Sequence, residues 1–488
     1  MKKSLIISSL ILASTVLFAK EYVYDGSSYL HMNQPIGDDV VFALDSNGTV
    51  DSQGRARFLF NGNAVHSITT DASNKNSNFK LWDLLFTVAT VDIKSSSSDV
   101  VAFNAQEEVN LKGYTLENTP TGLGELVFTN SATVENGANP FAIVNFTTLS
   151  PTYASKIITR TNTRFNGSVI NLADNCGLSI ESGTTEWNVN SLIWGGSSSF
   201  VNISAGATLK NVISKSFTFK KAEIAGSFVN ETTNDVIFTA TSIRPTNLSG
   251  DVFSKGRIKI WGSVNISGSM SYVFSNDYAK NILLARETDN KGNITNVANV
   301  TLDGKDVLSR LIVSSEDAYN RASDKSQYIV RDENGSTVYY KKDYAEFVIN
   351  GYSSNIRINV NADNAFKLFF SSGDVLTLNI ASDATLTLAG ITNVMNCNPV
   401  ITINNFENDS IFMFESALGK YDLITDIKAI TADGETFNKQ DISLVADVHN
   451  GQAGYWLTVP ALAVPEPAEW AMIFGGIALG LAIYRRRK

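Results

Sequence analysis

Three neighbouring stretches of this chain nearly repeat one another. They are Ser-Ile-Glu-Ser-Gly-Thr-Thr from Ser179, Asn-Ile-Ser-Ala-Gly-Ala-Thr from Asn202 and Glu-Ile-Ala-Gly-Ser-Phe from Glu223. Each sets an isoleucine before small residues and a glycine, and Ile180, Ile203 and Ile224 are 23 and 21 residues apart. A looser continuation runs forward through Ile243 and Ile266 and back through Ile158, Val134 and Leu116. A period this short cannot enclose a core of its own. It buries apolar surface by stacking each repeat on the next, which is the logic of a solenoid.

The segments in and around the repeat read as strands. Ser-Val-Ile-Asn-Leu-Ala from Ser168, Val-Leu-Thr-Leu-Asn-Ile from Val375 and Val-Ile-Thr-Ile-Asn from Val400 alternate apolar and polar residues between Gly, Asn and Ser. Helical periodicity is nearly absent. The fold expected is all-β, a right-handed parallel β-helix in which equivalent isoleucines form a buried row and corner Asn and Ser form ladders or pair backbone groups. An array of immunoglobulin-like sandwiches is the competing architecture, but it needs modules of ~100 residues with linkers between them. The solenoid is expected over 81–420, with an N-terminal β cap over 20–80 and an antiparallel β cap over 421–460. Residues 306–344 read as an excursion: a helix in the stretch from Asp306 to Gln327, then a hairpin turning at Asn334-Gly335. Cys176 and Cys397 lie 221 residues apart. That is about ten turns, or ~48 Å at ~4.8 Å per turn and ~40 Å if the excursion adds none. A disulfide, which needs Cα atoms within ~7 Å, is not expected.

Both ends of the chain point out of the cytoplasm. Lys2 and Lys3, the apolar run Leu5–Phe18 and the small Ala19 form a secretory signal over 1–19, with an uncleaved anchor as the alternative. Near the other end, Trp470–Tyr484 is apolar and uncharged. Its length as a helix is ~23 Å against a hydrocarbon core of ~30 Å, so it is a short transmembrane helix. Arg485, Arg486, Arg487 and Lys488 stop transfer on the cytoplasmic side. Pro465 and Pro467 hold Glu466 in extended backbone just before the helix, in a form a protease can grip. The order Pro-Glu-Pro, apolar helix, Arg-rich end over 461–488 resembles the PEP-CTERM sorting signal. An ordinary C-terminal anchor is the plainer alternative.

That resemblance implies a membrane-embedded exosortase as partner and an exopolysaccharide or biofilm-matrix setting. It also implies a chain exported across the inner membrane, held there briefly by its C-terminal helix, and then left at the cell surface or outside the cell. Such a tail is also labelled the C-terminal domain of ice-binding proteins, a label that describes the tail and not the body.

The formal charge is −9. Removing Lys2 and Lys3, then the tail's four cations and two acids, leaves a body near −13. Such a body repels nucleic acid and anionic lipid. With 43% hydrophobic residues the chain has ample material for a core.

Motifs for chemistry are sparse. Arg257-Ile258-Lys259 resembles the substrate-binding tripeptide of polygalacturonases, and Gly37-Asp38-Asp39 resembles their paired acids. The Gly-His-Gly that this family requires is absent, and His31, His66 and His449 lie elsewhere. The plain alternative puts Arg257 and Lys259 outward and Ile258 and Ile260 inward. Asp45–Asp51 has the look of a calcium loop, but Val50 and Ala56 stand where the glycine and the closing glutamate belong. Trp187, Trp194 and Trp261 suit either core packing or stacking on sugar rings. No catalytic residue, cofactor or metal site is read. The expectation is a surface or matrix structural protein and not an enzyme. A polysaccharide lyase or hydrolase and an ice- or surface-binding protein are the alternatives.

Overall fold

The computed structural model describes the strands between Lys20 and Thr152 by their backbone and residues 156–460 with side chains. Exceptions are 161, 197, 214, 274–280, 334, 352–353, 372–373, 394–396 and the side chain of Leu423. The signal segment 1–19, Gly37-Asp38-Asp39, the Asp45–Asp51 turn and all of 461–488 lie outside the described residues. So therefore do Pro465, Glu466, Pro467, the 470–484 stretch, Arg485, Arg486, Arg487 and Lys488.

The chain is mostly β and forms about 11 turns of parallel β-solenoid, with antiparallel strands near the C-terminus. It divides into two compact units: Met1–Lys280 with Leu311–Lys341, and Asn281–Arg310 with Lys342–Lys488.

In the first unit, Gly177–Ile180, Phe200–Ile203, Ala222–Ile224, Thr246–Leu248 and Ser263–Ile266 pair in parallel, each with the next. The register sets Ile180 beside Ile203, Ile203 beside Ile224, Ile224 beside Leu248 and Leu248 beside Ile266. All five are at most 1% exposed. Ile243 is not a member: it stands 89% exposed beside the small bridge between Thr241 and Arg244, and Leu248 takes its place. Backward the row passes through Thr159 and Phe128, not through Ile158.

A second wall runs through Thr163–Leu172, Thr184–Trp194, Thr208–Asn211, Ser227–Asn230 and Asp251–Ser254. A third starts only at Phe217–Phe219 and continues through Val236–Phe238 and Ile258–Ile260. Its inward phenylalanines fill the centre of these turns. Phe219 stacks on Phe238 at 5.3 Å and meets Phe228 edge-on at 4.9 Å.

Successive turns also touch backbone to backbone at one corner. A Cβ on Gly250 would come within 1.9 Å of the Gly226 carbonyl oxygen, and one on Gly268 within 1.9 Å of the Gly250 carbonyl oxygen. Of the glycines in the sequence motif, Gly226 belongs to this contact column, whereas Gly183 and Gly206 are turn positions at φ +72° and +79°, and a Cβ on Gly206 would meet nothing.

Residues 311–341 belong to the first unit. Tyr328–Glu333 and Ser336–Asp343 pair antiparallel, Glu333 facing Ser336, so the turn spans two residues as expected, with Gly335 at φ +79°. The hairpin lies on the second wall, where Tyr340 and Leu311 pack with Val229 and Phe253. The Arg331 guanidinium sits 3.8 Å from the centre of the Phe253 ring. The helix expected from Asp306 is mostly absent. Leu308–Ser314 is a strand, and the α-helix is confined to Glu316–Arg321, capped by Ser315, whose hydroxyl accepts from the Ala318 N–H. The adjacent β-branched pair Ile312-Val313 favours extended backbone, and the helix can begin only at its cap.

The second unit has two parallel stacks. One is Asn299–Leu302, Asn355–Val360, Val375–Ile380, Val400–Asn404 and Asp426–Ile430. The other is Ile282–Thr288, Ala345–Asn350, Asn364–Phe370, Leu386–Asn393 and Ile411–Phe414. Antiparallel strands follow. Thr436–Asn438 pairs with Asp426–Ile430, and Gln452–Thr458 pairs with both Ile411–Phe414 and Ser443–His449. They cover strand edges that would otherwise be open to another chain.

Candidate functional site

Parallel, in-register stacking brings like side chains of successive turns within hydrogen-bonding distance, and an amide can both donate and accept there. In the first unit Asn265 donates to Asn247 at 2.9 Å, and Asn247 donates to the Glu223 carboxylate at 2.8 Å. In the second unit Asn404 donates to Asn379 at 2.7 Å, Asn379 to Asn359 at 2.6 Å and Asn359 to Asn299 at 3.1 Å. A buried ladder in the first unit runs from Asn211 to Asn230 at 2.9 Å and from Asn230 to Ser254 at 3.0 Å. Asparagine ladders thus exist on outer and inner surfaces, but Asn247, Asn265, Asn359 and Asn379 stand within strands and not at the corners where ladders were expected.

Charges follow the same rule. Arg160 meets Glu181 at 2.7 Å and Arg164 meets Glu186 at 2.6 Å, partners 21 and 22 residues apart. Arg257 and Lys259 both bind Asp235, at 3.1 and 2.6 Å. Partial burial works against the Asp235 carboxylate, but the two cations outweigh it and hold its pKa below the ordinary value. Ile258 and Ile260 are fully buried. The polygalacturonase-like tripeptide therefore joins two turns, its isoleucines inside and its cations on a neighbouring aspartate. Opposite charges one repeat apart were the sequence signal for these pairs.

The second unit holds a denser group that no motif marked. Arg310 binds the Asp343 carboxylate, Lys367 reaches the same oxygen at 3.4 Å, and Asn281 donates to Glu346. Burial opposes ionisation of Asp343 but is outweighed by Arg310 and Lys367, so its pKa is lowered. Glu346 is 7% exposed, and there burial outweighs the attraction of the same two cations, so its pKa is raised. A carboxyl that holds its proton more tightly in the folded state favours folding at low pH. It gives that contribution up as the pH climbs above the unfolded glutamate value. Glu346→Gln should accordingly flatten the fall in urea stability of the full chain between pH 5 and pH 8. An unchanged pH slope in that variant would contradict this assignment.

The remaining candidates have packing roles. Trp187 is 2% exposed and lies edge-on to Phe165 and Phe217, at 6.3 and 5.4 Å. Trp194 is 9% exposed and donates through Nε1 to the Thr218 carbonyl at 3.1 Å. Trp261 has the Lys259 ammonium 5.4 Å from its ring centre. His449 packs against Phe412 and Trp456. His31 and His66 lie on the strands Leu30–Met32 and Val65–Thr70. Cys176 and Cys397 are buried and are not joined in a disulfide. Among the described residues no cluster of three or more His, Cys, Asp or Glu could hold a metal ion, and no helix is long and apolar enough to cross a membrane.

No protein-family model matches the chain, and neither does any curated protein or solved structure. The resemblance of the tail to a sorting signal rests on its own residues.

Proposed function

We propose that this chain is an exported structural or adhesive protein of the cell surface or extracellular matrix, built on a right-handed β-helix. Its tail, Pro465-Glu466-Pro467 with the 470–484 helix and Arg485–Lys488, is handed to an exosortase. The body then remains outside the cell among exopolysaccharide. The observation that carries the reading for the body is the use of its outward polar groups. Asn247–Asn265, Asn359–Asn379–Asn404 and the Arg257–Asp235–Lys259 set all bind one turn to the next. A surface whose amides and charges are committed to inter-turn bonds suits a durable scaffold.

One observation favours a second reading, a polysaccharide lyase or hydrolase. Asp343 and Glu346 share Arg310 and Lys367 as neighbours, and their pKa values are pushed in opposite directions, as acid and base partners require. The ice-binding reading needs a broad bank of stacked threonine. The row through Thr377 and Thr402 is flanked instead by Arg357 and Lys428.

Two arms test the proposal. In intact cells, protease added from outside should digest the body, and deleting the gene should loosen the surface-attached matrix. The purified chain should release no reducing ends or unsaturated products from matrix polysaccharide. Protection of the body from external protease would overturn the proposal. Product release abolished by Glu346→Gln would establish the second reading in its place.

A further inference from the structure

The third wall of the first unit does not begin where the other two do. Thr184–Trp194 pairs along its length with Thr163–Leu172, but on its other side only Thr184–Trp187 is met, by Thr208–Asn211. Among the described residues Phe217–Phe219 opens the third wall and pairs only with Val236–Phe238. Between the unmatched end of the long strand and this first short one lies a cleft of about 410 Å³. That is within the range of small-ligand sites.

Its lining is unusual for this chain. Asn190, Ser191, Ser216, Thr218 and Asn234 supply amides and hydroxyls, Lys215 supplies an exposed cation, and no carboxylate contributes. The whole chain carries −9, so an acid-free cleft beside a lysine stands out as receptive to an anion.

Asn211 fixes the inner wall. It lines the cleft and is 1% exposed. Its amide nitrogen donates to Asn230 Oδ1 at 2.9 Å and to the Lys215 carbonyl at 3.4 Å. Both partners are acceptors there, since Asn230 Oδ1 also accepts from the Thr232 hydroxyl at 2.9 Å. The Asn211 amide is thereby oriented, and its Oδ1 is a buried acceptor with no donor. Buried acceptors are rarely left unmet, and here the fixed amide forms part of the inner wall of the cleft. The half-buried Leu192 and Ile213 add apolar surface, so the occupant also presents carbon–hydrogen surface.

Hydroxyl donors, an apolar ring face and a negative charge together describe one class of ligand. We propose that this cleft binds an acidic saccharide. Sugar hydroxyls meet the exposed Asn190 and Ser216 side chains, and the anionic group faces Lys215. The proposal deepens the matrix reading by naming a glycan class. Its test on purified chain does not depend on export or on tail processing, so either idea can fail alone.

The probe is trigalacturonate, with maltotriose as the neutral control, each titrated into the full chain by calorimetry. Trigalacturonate should bind at least tenfold more tightly than maltotriose, and added salt should weaken it. Lys215→Ala should weaken binding about tenfold, the loss of one charge-assisted contact, and Lys215→Arg should largely restore it. Lys215 is exposed, so these variants should keep the wild-type circular dichroism and urea midpoint. Asn190→Ala is an independent second variant and should weaken both sugars. Absence of binding by trigalacturonate would overturn the proposal. So would equal affinity for the neutral sugar, or binding indifferent to both Lys215→Ala and Asn190→Ala.

Discussion

Ile203→Ala is expected to lower the stability of the first unit by about 2–5 kcal/mol, the usual cost of truncating a buried isoleucine. Ile203 is 1% exposed and sits between Ile180 above and Ile224 below in the register. Removing its side chain leaves a void in a row where each member rests on the next. The neighbouring turns cannot close it easily. They are pinned by ladder hydrogen bonds such as Ser204 N to the Ile180 carbonyl at 2.9 Å, and by the glycine corner, where a Cβ on Gly226 would lie 2.2 Å from the Ser204 carbonyl oxygen. Ile243→Ala is the matched control. That side chain is 89% exposed, and its loss should stay within about 0.5 kcal/mol. Urea unfolding followed by circular dichroism compares the two. Equal midpoints would mean that the isoleucine row does not hold the turns together.

The contrast between these two isoleucines shows what the sequence made legible. Ile180, Ile203 and Ile224 could be read because parallel stacking puts equivalent residues in one row, and a glycine follows each at the turn, Gly183 and Gly206 with positive φ and Gly226 at the close corner. Ile243 failed because spacing alone was extended through a stretch containing Pro245, where the chain leaves the wall and Leu248 resumes the row. The helix expected from Asp306 failed too. Leu308 and Leu311 are buried on an extended strand that the stretch from Asp306 did not announce. The hairpin that follows was legible from Asn334-Gly335, because a two-residue turn has few ways to form. Side-chain ladders were foreseeable as a class, yet which Asn meets which depends on register. The Asp343–Arg310–Lys367–Glu346 group and the cleft beside Asn211 left no local pattern. The first gathers residues separated by up to 57 positions. The second exists because one wall starts a turn later than its neighbours, and nothing in the composition of those turns announces it.

The largest effect on fate is expected from the tail. Pro465→Ala with Pro467→Ala should convert a processed, exported protein into one that stays in the membrane in a host with an exosortase. Each proline fixes φ near −65° and denies the preceding residue the helical region. On the proposed sorting role, they would present Glu466 to the protease in extended backbone. Alanine at both positions would allow the apolar helix to continue upstream, drawing Glu466 into helical backbone that a protease cannot thread. A longer helix would also better match the ~30 Å hydrocarbon core and hold the chain more firmly. Arg485, Arg486, Arg487 and Lys488 would remain as a cytoplasmic stop in the variant and be lost from the mature protein. The most direct test is mass spectrometry of the C-terminus of the wild-type protein recovered from the cell surface or medium. The account predicts a chain ending upstream of Trp470. A surface or secreted protein intact through Lys488 would contradict it.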